Sequence, residues 1–445
     1  MRGSPRAALT PRRLIVTAAL ISSLAANGQS ASTSGQRGVA APRTVVVRTT
    51  AAFHAALSAA GPGTTIAIAP GVYAGGAYRA GLAGTAAAPI VIRALDAASP
   101  PVFEGGPTGL QLSDARYVTL SDLTFRGARD NGINIDDGET FATPSAHIRI
   151  SRVSVFDLPE GNHDGIKLSG VTDFVIEDSR IERWGAGGSA VDMIGCHRGV
   201  IRGSVFRHRP GIEFGNGIEA KGGSSAITIS GNTFEHASSR AVQIGGSTGR
   251  QFFRPQPPAA AEARDVIVED NVIIGSEAAV AFVGSDGGAV RFNTIYLPTK
   301  WPIRILQEQA GPGVTACRNG TFRDNIVYWR GDQMINVGDG THAASFTFAH
   351  NWWFRADDPG RSRLSLPSAE RDGVYGADPQ FIAPPRNLRT RENIAFGVRA
   401  PRAPRVGRLT PDHRASRLVA LFGDARPAAR PESGARWRGR GLCSD

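Results

Sequence analysis

The feature that most constrains this chain is an irregular repeat of two short motifs through its middle. The first is a small residue followed by alternating apolar and other residues. It appears at Gly132-Ile133-Asn134-Ile135, Gly165-Ile166-Lys167-Leu168, Ala190-Val191-Asp192-Met193, Gly217-Ile218-Glu219-Ala220, Ala241-Val242-Gln243-Ile244 and Ala279-Val280-Ala281-Phe282. Pro302-Ile303-Arg304-Ile305 and Met334-Ile335-Asn336-Val337 continue it less cleanly. The intervals are 33, 25, 27, 24, 38, 23 and 32 residues. The second motif sets Ser or Asn before strand-forming residues, as in Ser179-Arg180-Ile181, Ser204-Val205-Phe206, Asn232-Thr233-Phe234, Asn293-Thr294-Ile295 and Asn325-Ile326-Val327. The two series interleave in constant order. Each unit therefore reads as a short strand, a turn, a second strand and a return.

One such unit cannot bury its apolar face alone. Stacking units in parallel and in register does so, with inward residues forming continuous ladders. The expected fold is all-β: a right-handed parallel β-helix, a solenoid with a short capping helix at its N-terminal end. Leucine-rich repeats need a fixed leucine pattern and a steadier period, and a propeller needs longer units of four strands. The Ser/Asn series fits a stacked turn position, since Asn tolerates left-handed dihedrals and bonds neighbouring backbone.

The ends differ from the middle. Arg2, Arg6, Arg12 and Arg13 precede an apolar run from Leu14 to Ala26, and Ala26-Asn27-Gly28 suits cleavage. Residues 1–28 are thus read as a signal peptide and the protein as secreted, with no transmembrane segment. Residues 29–46 read as a linker and 47–383 as the β-helix domain, capped by a helix over 52–60 that stops at Gly61-Pro62-Gly63. Residues 384–445, rich in Arg, Pro and Ala, read as a poorly ordered tail.

The net charge of +11 sits in these ends. Residues 1–48 carry seven Arg and no acid, and residues 384–445 carry fourteen Arg and five acids, leaving 49–383 at −5. A nucleic-acid groove in the body is disfavoured. Three cysteines make no disulfide framework, and Cys196 and Cys317 fall about four coils apart, about 19 Å, beyond bonding reach. Both are expected to be free; a monomer is expected.

In each first-motif strand the residue between two inward apolar ones faces outward. Stacking predicts an external row of Asn134, Lys167, Asp192, Glu219, Gln243, Ala281, Arg304 and Asn336, with Lys221 on the same face as Glu219. Lys167, Asp192, Glu219 and Gln243 are the residue types needed to hold a charged sugar. Asp164, Asp192 and Glu219 lie on three successive coils. Such carboxylates form cross-strand ion pairs, hold Ca²⁺, or act as a glycosidase acid and base. Lys221 is the leading catalytic candidate. A lyase removes the proton next to a uronate carboxyl group, which needs a base and a cation to stabilise the product anion. A lysine with lowered pKa would serve. The two longest insertions supply candidate substrate contacts: Arg250, Phe252, Phe253 and Arg254 in one, Lys300, Trp301 and Arg304 flanking the other, with Arg240 at the edge.

Phe53, Ala56, Ala59-Ala60, Pro62-Gly63, Ile66, Ile68, Pro70-Gly71 and Tyr73, continued by Pro89 to Ala94, resemble the opening signature of secreted β-helix proteins of the chondroitinase-B and alginate-lyase group. Gly376-Ala377-Asp378-Pro379-Gln380-Phe381 resembles a motif that closes such domains. Glu219-Ala220-Lys221 followed by Gly231-Asn232-Thr233-Phe234 is similar to the stretch bearing that family's base lysine. The resemblance implies a lyase acting on an acidic, uronate-containing polysaccharide. One departure stands out: the family's Arg-His-Gly on the next coil is replaced by Gln243-Ile244-Gly245-Gly246. Hydrolysis or epimerisation on the same groove, and glycan binding without turnover, stay open alternatives, and Ca²⁺ is a candidate cofactor.

Overall fold

A computed structural model describes residues 42–255 and 261–390. The expected signal peptide and most of the expected linker and tail lie outside the described residues, as does Cys443. A complete coil holds three strands, not the two expected. In one coil these are Ser189–Ile194, His197–Arg202 and Val205–Arg207. Stacking makes three parallel sheets of ten, thirteen and twelve strands. The overlooked strand is the middle one. It is joined to the third by so tight a corner that the two read as one segment.

That corner shows why. Its first residue has left-handed backbone, as at Asp178 (φ 50°), Asp270 (φ 56°), Phe292 (φ 58°) and Asp324 (φ 57°), and the Ser or Asn of the second motif follows it. The left-handed position is therefore the residue before the Asn, not the Asn itself. The Asn side chains do the stacking. Asn232, Asn271, Asn293 and Asn325 each donate from Nδ2 to the next Oδ1 at 3.0 Å, ending on Asn351. Asn351 in turn donates to Glu370 at 2.8 Å. The ladder is buried and satisfies the corner's backbone groups, which would otherwise cost about 1–3 kcal/mol each.

Inward ladders form the core. Ile133, Ile166, Val191, Ile218, Val242, Val280 and Ile303 stand in register on consecutive strands of the ten-stranded sheet, all fully buried. Phe206 stacks on Phe234 in the twelve-stranded sheet, ring centroids 5.0 Å apart.

The expected capping helix is present at Thr50–Ala59. Thr49 caps it by accepting from the Ala52 N–H at 3.2 Å, and Phe53, Ala56 and Leu57 face the first coil. Two domain boundaries move. Residues 43–46, assigned to the linker, join Val47 in a strand, Arg43–Val47, paired with Thr64–Ile68. At the other end the chain does not stop packing at 383: Phe381–Ala383 and Asn387–Thr390 form an antiparallel hairpin. Its Phe381 and Leu388 cover Tyr296, Ile326 and Tyr328 on the outside of the twelve-stranded sheet. An apolar outer face there required a cover. Cys196 and Cys317 are free and buried, as expected. No helix among the described residues is long and apolar enough to cross a membrane.

Candidate functional site

The ten-stranded sheet carries the predicted row. Asn134, Lys167, Asp192, Glu219, Gln243, Ala281, Arg304 and Asn336 are direct neighbours on consecutive strands, and the row extends backwards through Gln111 to Tyr78. Parallel strands in register put equivalent positions about 4.8 Å apart. A second outward row runs beside it through Asp136, Ser169, Ile194 and Lys221.

The side chains join into a ladder of alternating charge. Lys167 Nζ pairs with Asp164 at 3.2 Å and with Asp192. Lys221 Nζ pairs with the other oxygen of Asp192 at 3.2 Å and with Glu219 at 2.7 Å. Gln243 donates to Glu219 at 2.5 Å and accepts from Arg240, which pairs with Glu308 at 2.6 Å.

This ladder is not the open surface expected. Asp192, Glu219 and Gln243 are 3%, 6% and 2% exposed. Among these acids and their lysines, the side chains solvent reaches are Lys167 at 23% and Lys221 at 18%. Arg240 lies over Gln243. The backbone of Gly246 lies against Glu219 and Lys221, so close that a Cβ there would sit 2.8 Å from Glu219 Oε1 and 2.9 Å from Lys221 Cδ. A side chain at 246 would therefore displace Glu219 or Lys221 from its place in the ladder.

Three carboxyls and two ammonium groups leave one negative charge in excess in a desolvated cluster. The titration behaviour follows. Asp192, between both ammonium groups, is held below the usual carboxylate range despite its burial. Burial pushes Glu219 up to about 7 against the pull of Lys221. Burial and the neighbouring Asp192 raise Asp164. Lys167 and Lys221 are both raised, since the carboxylates around them outweigh the cost of burial. A lysine of lowered pKa is therefore not what the site contains: Lys221 is an ammonium ion at rest.

The expected calcium site does not fit either. A Ca²⁺ ion needs several oxygens at about 2.3–2.6 Å. Here the Lys167 ammonium fills the gap between Asp164 and Asp192, and the Lys221 ammonium fills that between Asp192 and Glu219. Asp164 also spends one oxygen on the Ser189 N–H at 2.8 Å. Among the described residues no three His, Cys, Asp or Glu side chains converge as a metal site.

The proposed substrate contacts divide. Arg254 forms a bidentate pair with buried Asp137, at 2.5 and 2.9 Å, and its guanidinium lies 4.1 Å from the Phe141 ring centroid. Its carbonyl oxygen is 3.0 Å from His197 Nε2. Phe253 is buried. These two residues anchor segment 246–255 to the solenoid and are corrected from substrate contacts to structural ones. Arg250 bonds the carbonyl of Pro312, tying the two insertions together. Phe252 is half exposed beside the face. Lys300 pairs with Glu277. Trp301 lies under Arg304 at 4.2 Å and Lys300 at 5.5 Å. Sequence reading missed Asp137, Glu277 and Glu308. Asp137 is 117 positions from Arg254, and no local pattern marks such a pair. Phe214, just before strand Asn216–Lys221, was also missed and is 71% exposed. A small cavity lined by Arg250, Phe253, Glu262 and Gln309 lies between the two insertions.

A family model described as "Right handed beta helix region" matches residues 108–253 and 140–296. The fold is a right-handed parallel β-helix. No curated protein matches the chain. Among solved structures the β-helix is similar to an alginate lyase from Paenibacillus sp. str. FPU-7, at 19% identity and TM-score 0.46, covering 68% of this chain and 99% of that one. It is also similar to the pectate lyase Pel9A, at 13% identity and TM-score 0.46, covering 78% and 84%. A third is the Azotobacter vinelandii mannuronan C-5 epimerase AlgE6 A-module, at 16% identity and TM-score 0.49, covering 74% and 94%. These are likenesses of coil and sheet. The chemistry of this β-helix has to be argued from its own residues.

Proposed function

We propose that this β-helix is an enzyme acting on an acidic, uronate-containing polysaccharide by β-elimination, with Lys167, Asp192, Glu219 and Lys221 as its reaction centre. One observation carries the reading: a ligand approaching the ladder from solvent meets two ammonium groups first, with a carboxyl of pKa about 7 beneath them. Ammonium groups attract a uronate carboxylate and stabilise the charge that develops on it when the neighbouring proton leaves. A carboxyl titrating near neutrality is suited to accept that proton. Glu219 is thus the preferred base, Lys221 and Lys167 the cationic seat, and Asp192 the group that holds both lysines charged and in place. A sheet face crossed by a row of polar side chains suits a polymer lying along the solenoid axis.

A second reading, hydrolysis, has its own support. Asp192 and Glu219 are neighbours whose pKa values are driven apart, the pattern of a nucleophile and an acid. The Lys221 ammonium wedged between them disfavours it.

Purified protein incubated with polygalacturonate, alginate and chondroitin decides between them. Ultraviolet-absorbing unsaturated product, lost in Glu219→Gln and Lys221→Met, is the expected result. New reducing ends without unsaturation would establish hydrolysis, and altered uronate stereochemistry without cleavage an epimerase. No change in any polymer would overturn an enzymatic role on these substrates.

A further inference from the structure

Beyond the reaction centre, the same sheet face carries a second cationic feature. Arg304 stands three strands from Glu219 along the outward row, about 14 Å away. Its guanidinium lies 4.2 Å from the ring centroid of half-buried Trp301, and its Nε donates to Asn336 at 2.9 Å. No carboxylate among the described residues lies within ion-pair distance of it. The nearby acids are already engaged: Glu277 holds Lys300, and Glu308 holds Arg240. The row residue between Arg304 and Gln243 is Ala281, which offers Arg304 no polar partner on that side. Burial and the charge of Arg240 both weigh against the Arg304 cation.

We propose that Arg304, Arg240 and Trp301 form an accessory subsite for a sugar ring bearing an oxyanion substituent, carboxylate or sulfate. The indole offers a flat apolar surface to the ring. Arg304 supplies the free guanidinium, and Arg240 turns to the anion on release from Glu308. Planar guanidinium groups match both oxyanions through paired N–H donors. The subsite lies a short run of sugar rings from the ladder. It would therefore hold a distal charged residue of the polymer placed over Glu219. The proposal deepens the polysaccharide reading and rests on it for the identity of the sugar, but binding here does not require turnover.

The test is fluorescence titration of the full chain with galacturonate, glucose 6-sulfate and glucose, with Trp301→Phe identifying the responding indole. One or both anionic sugars should bind, and glucose should not; which of them binds identifies the substituent. Arg304→Gln should weaken binding about tenfold, in line with loss of a charged hydrogen bond. Glu308→Gln, which frees Arg240 and lies on a loop, should tighten it several-fold. Unchanged affinity in both variants, or equal binding of glucose, overturns the subsite. The reaction-centre reading fails separately, if no polymer yields unsaturated product while these titrations still show binding.

Discussion

Replacing Glu219 by Gln removes the carboxyl that carries the site's excess charge while keeping its volume. The wild-type group titrates at about 7 in the fold, against an ordinary value of 4.5 in the unfolded chain. A raised carboxyl binds its proton more tightly when folded. Its contribution to stability is therefore fully present below about pH 4.5 and is lost as the pH climbs through 7. At about 1.4 kcal/mol per pH unit, the loss is about 3 kcal/mol. The substituted amide does not titrate. The stability of the wild type relative to Glu219→Gln should therefore fall by about 3 kcal/mol between pH 4.5 and pH 8. The assay is urea denaturation of both proteins at matched pH values, followed by circular dichroism. A difference that stays flat across this window would refute the argument that Glu219 is the strained member of the cluster.

Other outcomes follow from the same geometry. Lys221→Met strips Asp192 and Glu219 of a shared counter-ion and should cost roughly 3–5 kcal/mol at pH 8, less at pH 5 where Glu219 can take up a proton, measured by the same denaturation. Arg254→Gln leaves the buried Asp137 without its cation. Amide exchange should quicken in 246–255 while the strands of neighbouring coils keep their protection. Asn293→Ala breaks the corner ladder in both directions and should cost roughly 2–4 kcal/mol in denaturation. Asn293→Ser should recover part of that, since Ser179 and Ser204 hold the equivalent corner in earlier coils. Gly246→Ala should displace Lys221 and lower any lyase activity with little change in the global unfolding midpoint.

The outward row was legible in the sequence because its information is local. Alternation assigns Lys167, Asp192, Glu219 and Gln243 to one side of their strands, and parallel stacking in register makes that one side a single line. The capping helix over Thr50–Ala59 was legible for the same reason, as was the Asn series. The middle strand of each coil was not, because the corner before Ser179 or Asn232 is a single left-handed residue and leaves no gap in the apolar pattern. The closing hairpin was hidden by a composition that resembles the tail beyond it.

Sequence alone determined the solenoid and which residues share its outer face, since both depend on the period of short strands. Only the tertiary structure decided what those residues are to one another. Lys221 became an ammonium clamped between Asp192 and Glu219, Arg254 an anchor for Asp137, and Arg304 a cation whose neighbouring acids hold other partners. Charge state depends on burial and on partners many coils away in sequence, and neither is written in the spacing of a repeat.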